Sequence, residues 1–150
     1  LITGRGAQLE NFKKIIKEAS VERHFCFTGF MPYEKVATLY NLADVFVLPS
    51  YPSMTWQEQF GMVLVEAMAC GKPIVGSASG SIPEIIGDAG LTFTPGDFFQ
   101  FADKIELLMN NSSLKKELSQ KAIKRAREHF DASKNALKIY EVYKKVLYGR

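Results

Sequence analysis

The sequence predicts an α/β fold, a Rossmann-like parallel sheet flanked by helices. Over the first hundred residues, short apolar runs typical of buried strands alternate with stretches that have the apolar spacing of amphipathic helices. This alternation is typical of strand–helix–strand units, whose strands run parallel and whose crossovers are right-handed. A chain of 150 residues with 47% hydrophobic residues can bury a core of its own. We therefore expect one domain over residues 1–150, with extra helices at its C-terminal end.

The individual elements follow from apolar runs and from the residues that interrupt them. The apolar runs predict strands at about residues 1–3, 24–28, 44–49, 73–77 and 91–93. Apolar residues at helical spacing predict helices at about residues 8–19, 33–42, 62–70, 98–109, 114–129 and 133–147, with a short helix after Ser81. Gly71 and Pro73 end the third helix, while Asp97 and Ser81 are residue types that cap helix N-termini.

The helix predicted from Met62 to Cys70 is the most informative element. It is apolar on every side except at Glu66, and a helix of that kind is expected to be buried. A buried carboxylate is costly unless a partner compensates it. Gly61 precedes the helix, and a helix N-terminus with free N–H groups attracts anions. The pattern therefore predicts a ligand that carries both phosphate and hydroxyl groups.

The distance between two acidic residues limits the chemistry. Glu58 and Glu66 are eight residues apart, which is about 12 Å of rise if the whole stretch is helical. The paired carboxylates of glycoside hydrolases lie roughly 5 to 9.5 Å apart across one bond. A hydrolytic pair is therefore not favoured, and two carboxylates that serve different parts of one long ligand fit better.

The loop before Glu58 is longer than a minimal strand–helix connection. It runs from about Ser50 to Gln57 and contains Trp56, for which two interpretations remain open. The indole either anchors the loop on the core or forms an exposed platform for an acceptor.

Ordered motifs occur along nearly the whole chain, namely Gly4-x-Gly6, Phe27-Thr28-Gly29, Ala43 to Ser50, Glu58-x7-Glu66 with Phe60-Gly61, Gly80-x-x-Pro83-Glu84 and Pro95-Gly96-Asp97. Together they resemble the signature of the retaining group-1 glycosyltransferases of the GT-B architecture. The resemblance implies the C-terminal, donor-binding domain of such an enzyme. Position 81 departs from the pattern, because the family usually has a second glycine where this chain has Ser81.

The resemblance also implies roles for individual residues. Glu66 would accept hydrogen bonds from the ribose hydroxyls, and Glu58 would be the catalytic residue at the donor sugar. Further donor contacts would come from residues at the start of the helix predicted from Met62 and from the loop after the second strand. These residues are Phe60, Gly61, Met62 and Val63 at the helix, and Phe30 and Met31 in the loop. Three plainer interpretations stay open, since Glu66 can pair with protein groups alone, Glu58 can be a solvated loop residue, and Phe30 can cover the core.

The resemblance further implies a UDP-, GDP- or ADP-sugar as substrate, with no cofactor and no metal ion. The spacing of histidine, cysteine and acidic residues matches no metal site. Two alternatives are half of a nucleotide-sugar epimerase and a non-catalytic module that binds nucleotide or glycan. The Glu58-x7-Glu66 pattern argues against the epimerase.

Charge is unevenly distributed along the chain. Residues 1–112 carry 8 Lys/Arg and 12 Asp/Glu, whereas residues 113–150 carry 11 and 4. We expect no nucleic-acid partner, and the basic end is either a solvated surface or a peripheral contact with an anionic membrane. Cys26 and Cys70 lie in apolar surroundings and are predicted to be reduced core thiols, as in a cytoplasmic protein. Membrane contact would then be at the inner face.

The chain opens on the tail of a strand, which predicts a piece of a longer protein. By resemblance, the N-terminal acceptor domain and the Arg and Lys that hold the diphosphate would precede Gly4. We therefore expect the isolated piece to be inactive in sugar transfer.

Overall fold

The computed structural model describes residues 1–149, which form two compact units divided after Thr38. In the first unit, β1 (Ile2–Thr3) pairs in parallel with β2 (Phe27–Gly29), and α1 (Leu9–Glu18) connects the two strands. The hydroxyl of Thr28 donates a hydrogen bond to that of Thr3 at 3.0 Å across this pair. The helix α2 (Tyr33–Leu42) begins in the first unit and ends in the second.

The first unit buries Ile16 of α1 and contains a cluster of partly exposed aromatic rings. The ring of Phe12 on α1 meets Phe25 and Phe27 edge to face, with centroids 5.8 and 6.1 Å away. The strand predicted from residue 24 starts only at Phe27, because Glu22–His24 forms a short 3-10 turn. The prediction that Cys26 is a core thiol is wrong, since that side chain is exposed, whereas Phe25 and Phe27 on either side of it pack against Phe12.

The second unit contains three parallel strands in the order β3–β4–β5, at Phe46–Leu48, Ile74–Ser77 and Gly90–Phe93. All four residues of the central strand β4 are buried, as expected for a parallel strand covered on both faces. The predicted α/β fold of parallel sheets flanked by helices is confirmed. The expectation of a single domain over the whole chain stays a prediction.

Over residues 62–149, these strands are accompanied by the helices α3 (Met62–Ala69), α4 (Ile82–Ile86), α5 (Phe98–Asn110), α6 (Ser112–His129) and α7 (Ala132–Tyr148). Asp97, Asn111 and Asp131 cap the last three, each by accepting a hydrogen bond from a backbone N–H in the first turn. The main hydrophobic cluster joins the sheet to α5 and α6 through Val75, Phe93, Leu108 and Leu118.

The helix α6 supports the rear of α3. The hydroxyl of Ser119 donates to the carbonyl oxygen of Gly71 at 2.6 Å, directly after α3 ends. Gly71 has φ +68°, and a Cβ there would lie 2.9 Å from Cδ1 of Ile123. This close packing fixes the position of α3, which carries Met62, Val63 and Glu66 of the predicted site.

Candidate functional site

The helix α3 is buried on one side only. Leu64, Ala67 and Met68 have no exposed surface, whereas Met62 is 60% and Val63 38% exposed. The prediction of a helix buried all round is therefore wrong, because the described residues of the second unit leave Met62 and Val63 in its first turn exposed. Met62 and Val63, two of the residues that the resemblance assigned to donor contacts, lie on that open face.

The N-terminus of α3 has the geometry of an anion site. Gly61 adopts φ +74° and ψ 58°, a left-handed conformation that glycine adopts readily, and no side chain among residues 1–149 caps the helix. The N–H of Leu64 donates to the carbonyl of Gly61 at 2.8 Å. Within residues 1–149, the N–H groups of Met62 and Val63 donate to no protein group. These two donors lie at the positive end of the helix dipole, where an anion is favoured.

Glu66 lies one turn further along α3 and is half-buried. Its Oε2 accepts a hydrogen bond of 2.7 Å from the hydroxyl of Tyr40, at the end of α2. Its Oε1 accepts none from residues 1–149. The carboxylate is therefore compensated on one oxygen and keeps acceptor capacity on the other, unlike a carboxylate paired entirely within the protein.

Glu58 is half-buried in the non-helical segment before Gly61, so helical rise does not describe its separation from Glu66. Its backbone carbonyl contacts Gly80 and Ser81 in the loop after β4. The N–H of Ser81 donates to the carbonyl of Glu58 at 3.1 Å, and a Cβ on Gly80 would lie only 1.9 Å from that oxygen. Gly80 therefore has to be glycine for Glu58 to occupy this position.

Ser81 does not cap α4 through its side chain. Its hydroxyl and that of Ser79 are buried and have no hydrogen-bond partner among the described residues. The backbone of Ser81 is used instead, since its N–H supports Glu58. The prediction that the Ser81 side chain caps α4 is wrong, because that side chain makes no capping hydrogen bond with the described residues.

The ring of Phe60 is anchored at the end of α6. It meets Phe130 edge to face, with the centroids 5.9 Å apart and an interplanar angle of 85°. The guanidinium of Arg125 lies 5.9 Å from the centre of the Phe130 ring. Arg125 also donates to the carbonyls of Ile85 at 2.8 Å and Glu84 at 2.6 Å, both near the C-terminal end of α4. The turn before α3 is thus supported by residues far along the chain.

The loop before Glu58 lines an open cavity of about 430 Å³. Trp56 is 52% exposed and belongs to its lining. Two hydrogen bonds join Ser53 and Trp56 and close this loop. The N–H of Trp56 donates to Oγ of Ser53 at 3.0 Å, and the N–H of Ser53 donates to the carbonyl of Trp56 at 2.7 Å. The exposure of the indole favours the platform over the core anchor.

The remaining two predicted residues lie in the first unit. Phe30 is 64% exposed and Met31 half-buried, in the loop after β2. The guanidinium of Arg5 lies 4.9 Å from the centre of the Phe30 ring. Phe30 does not cover the core of this unit, so the plainer of its two interpretations is wrong. The other six predicted residues lie together between Glu58 and Glu66 in the second unit.

A family model described as "Glycosyl transferases group 1" matches residues 1–129 of the chain. The chain belongs to this family. The domain is 31% identical over 149 residues to N-acetyl-alpha-D-glucosaminyl L-malate synthase from Bacillus anthracis, with 98% of the chain and 37% of that protein covered. The chain thus spans about a third of the length of the curated relatives it matches.

Two solved structures share the fold of this group-1 glycosyltransferase domain. Anabaena Alr3699/HepE in complex with UDP is 25% identical with a TM-score of 0.83, and the match covers 95% of this chain and 40% of that one. The C-terminal domain of the Francisella tularensis group-1 protein LpcC is 25% identical with a TM-score of 0.72, and 85% and 66% are covered. The predicted resemblance to the C-terminal domain of a GT-B glycosyltransferase is confirmed.

Sequence reasoning about the glycosyltransferase site missed Tyr40, Gly80 and Phe130. Gly80 stood in a recognised motif, but its contact with Glu58 joins residues more than twenty positions apart, and Phe130 lies seventy positions from Phe60. Tyr40 reads as an ordinary apolar residue of an amphipathic helix. Within residues 1–149 no three His, Cys, Asp or Glu side chains form a cluster able to hold a metal ion.

Proposed function

We propose that this domain binds the nucleotide-diphosphate sugar donor of a retaining glycosyltransferase. The full enzyme would transfer the sugar to a glycan, a lipid-linked acceptor or another acceptor. The observation that carries the proposal is the N-terminal half of α3, where free N–H groups at Met62 and Val63 lie one turn before the carboxylate of Glu66, which has one open oxygen. Anabaena HepE, which shares the fold, has been crystallised with UDP and with UDP-glucose.

The proposed contacts follow the chemistry of the donor. Glu66 accepts hydrogen bonds from the ribose hydroxyls, and the N–H groups around Phe60 to Val63 receive the sugar and the diphosphate. Negative charge grows on the diphosphate as the bond to the anomeric carbon breaks, and donors fixed in advance stabilise that charge without reorganising. Glu58 is the catalytic residue, accepting from a hydroxyl of the donor sugar. Phe30 and Met31 receive the base, and no metal ion is required.

Calorimetry with UDP, GDP, ADP and inorganic diphosphate tests this proposal. Glu66→Gln keeps the shape of the side chain but removes its charge, so we expect a weaker affinity for the nucleotides and an unchanged affinity for diphosphate. Equal losses for nucleotide and diphosphate would contradict the ribose role. No binding of any nucleotide would favour a structural module, and undiminished binding in EDTA is expected for a metal-independent site.

We also propose that transfer needs a further, acceptor-binding part of the parent protein. The relatives are about three times as long as this chain, in keeping with a second domain. The isolated chain is then expected to bind donor without turnover. Measured transfer by the 150-residue chain alone would contradict this proposal.

Helix α7 supports a proposal of peripheral contact with the inner face of a membrane, for a cytoplasmic protein. Within residues 1–149 no helix is both long and apolar enough to cross a membrane. None of the side chains of α7 is buried, and its exposed apolar residues alternate with lysines, as in helices that lie on anionic lipid surfaces. Co-sedimentation with phosphatidylglycerol vesicles should exceed that with phosphatidylcholine vesicles. Equal binding to both would remove the proposal and favour burial of α7 against other protein.

A further inference from the structure

The hydroxyl of Tyr40 is placed to control the carboxylate of Glu66. It donates to Oε2 at 2.7 Å, and the tyrosine itself is only 7% exposed. Its ring packs edge to face on Phe46 of β3, with centroids 5.4 Å apart. A buried ring held against the sheet has little freedom, so its hydroxyl presents a fixed donor to the glutamate.

A second contact ties the same two helices together. The ammonium group of Lys72, just after α3, donates at 3.0 Å to the carbonyl of Asn41, next to Tyr40 in α2. The last turn of α2 is therefore joined to α3 both at Glu66 and beyond its end. The distance between the Tyr40 hydroxyl and the Glu66 backbone is fixed by protein packing and needs no ligand.

A fixed donor on Oε2 changes what Glu66 offers to a ligand. Glutamate has three side-chain torsions, and a free carboxylate loses that freedom when it binds. Held by Tyr40, the carboxylate is already oriented, and Oε1 remains open to receive hydroxyl groups from a ligand. Preorganisation of this kind raises affinity by lowering the entropy lost on binding.

We propose that Tyr40 is a positioning residue that orients Glu66 toward the 2′,3′-diol of the donor's ribose. The inference rests on the proposed function, in which Glu66 accepts from that diol. Tyr40 touches no ligand atom, and its effect passes through the carboxylate. It follows that the Tyr40 hydroxyl matters for ribonucleotides and not for nucleotides that lack the diol.

The test compares UDP with 2′,3′-dideoxy-UDP by calorimetry on the wild type, Tyr40→Phe and Glu66→Gln. Tyr40→Phe removes one oxygen and keeps the ring, and thermal unfolding checks that it remains folded. We expect its affinity for UDP to fall about 3- to 10-fold, the range of one net hydrogen bond, with the affinity for dideoxy-UDP unchanged. Tyr143→Phe, at an exposed tyrosine of α7, is the matched control and should change neither affinity.

Each other outcome overturns the inference in a distinguishable way. If Tyr40→Phe weakens UDP and dideoxy-UDP equally, the hydroxyl supports the fold and does not serve the diol. If it weakens neither, the hydrogen bond does not orient Glu66 for binding. If the wild type binds UDP and dideoxy-UDP with the same affinity, and Glu66→Gln does so too, the proposed ribose role of Glu66 itself fails. The role of Tyr40 then fails with it.

Discussion

Substitution of Gly80 by alanine should displace Glu58, because the two residues meet backbone to backbone. Gly80 has φ +55°, and a Cβ there would lie 1.9 Å from the Glu58 carbonyl oxygen and 2.9 Å from its carbonyl carbon. The obstacle is main chain and cannot turn aside as a side chain does. The Glu58 carbonyl would have to move by about 1 Å or more to restore a van der Waals contact.

The expected loss of stability has two parts. A non-glycine residue in the left-handed region costs about 1–2 kcal/mol. Moving the Glu58 carbonyl also breaks its hydrogen bond from the N–H of Ser81, now 3.1 Å long, which adds about 1 kcal/mol. A total of about 2–3 kcal/mol corresponds to a decrease in Tm of roughly 5–12 °C for a chain of this size.

Gly96→Ala is the matched control in the same unit. Gly96 also has a positive φ, of +85°, but a Cβ there would meet only the ring of Tyr51, at 3.1 Å. That ring is 68% exposed and free to move, so this variant should show the strain of the left-handed backbone without the collision. Urea and thermal unfolding of both variants measure the difference.

The Gly80 substitution should also affect binding selectively. In the proposed function Glu58 lies at the donor sugar, so Gly80→Ala should weaken UDP-glucose more than UDP in calorimetry. If Gly80→Ala lost no more stability than Gly96→Ala and bound both ligands as the wild type does, the contact with Glu58 would not constrain the site.

Three further substitutions test other contacts. Phe130→Ala removes the edge-to-face partner of the Phe60 ring, so it should lower the free energy of unfolding by about 1–2 kcal/mol. It should also lower the affinity for UDP-glucose more than the affinity for UDP, and calorimetry showing equal losses would contradict this. Trp56→Ala should change the free energy of unfolding by less than about 0.5 kcal/mol, since the ring is exposed. A larger loss of stability, typical of a buried indole, would support the interpretation of Trp56 as a core anchor. The hydrogen bond and the charge of Glu117 raise the pKa of Lys121. NMR titration of the Glu117→Gln variant should therefore find a lower pKa for Lys121 than in the wild type, and an unchanged pKa would exclude Glu117 as the cause.

Local features of the sequence determined most of the elements. Strand–helix alternation predicted the parallel sheet, and Gly61 and Gly71 bracketed α3 within a residue or two. The cap at Asp97 was also correct, because a side chain that bonds to its own first turn needs no distant partner. The acidic pair Glu58 and Glu66 was visible because both residues belong to one contiguous motif.

Only the tertiary structure decided which groups those residues meet. The partner of Glu66 is Tyr40, the residue that contacts the Glu58 carbonyl is Gly80, and the Phe60 ring rests on Phe130. Each contact joins elements brought together by packing of helices on the sheet, and neither residue type nor spacing encodes such a pairing. For the same reason periodicity identified α3 as apolar but could not tell that one face of its first turn stays open. Sequence determined what the site is made of, and packing determined which of its oxygens and N–H groups remain free.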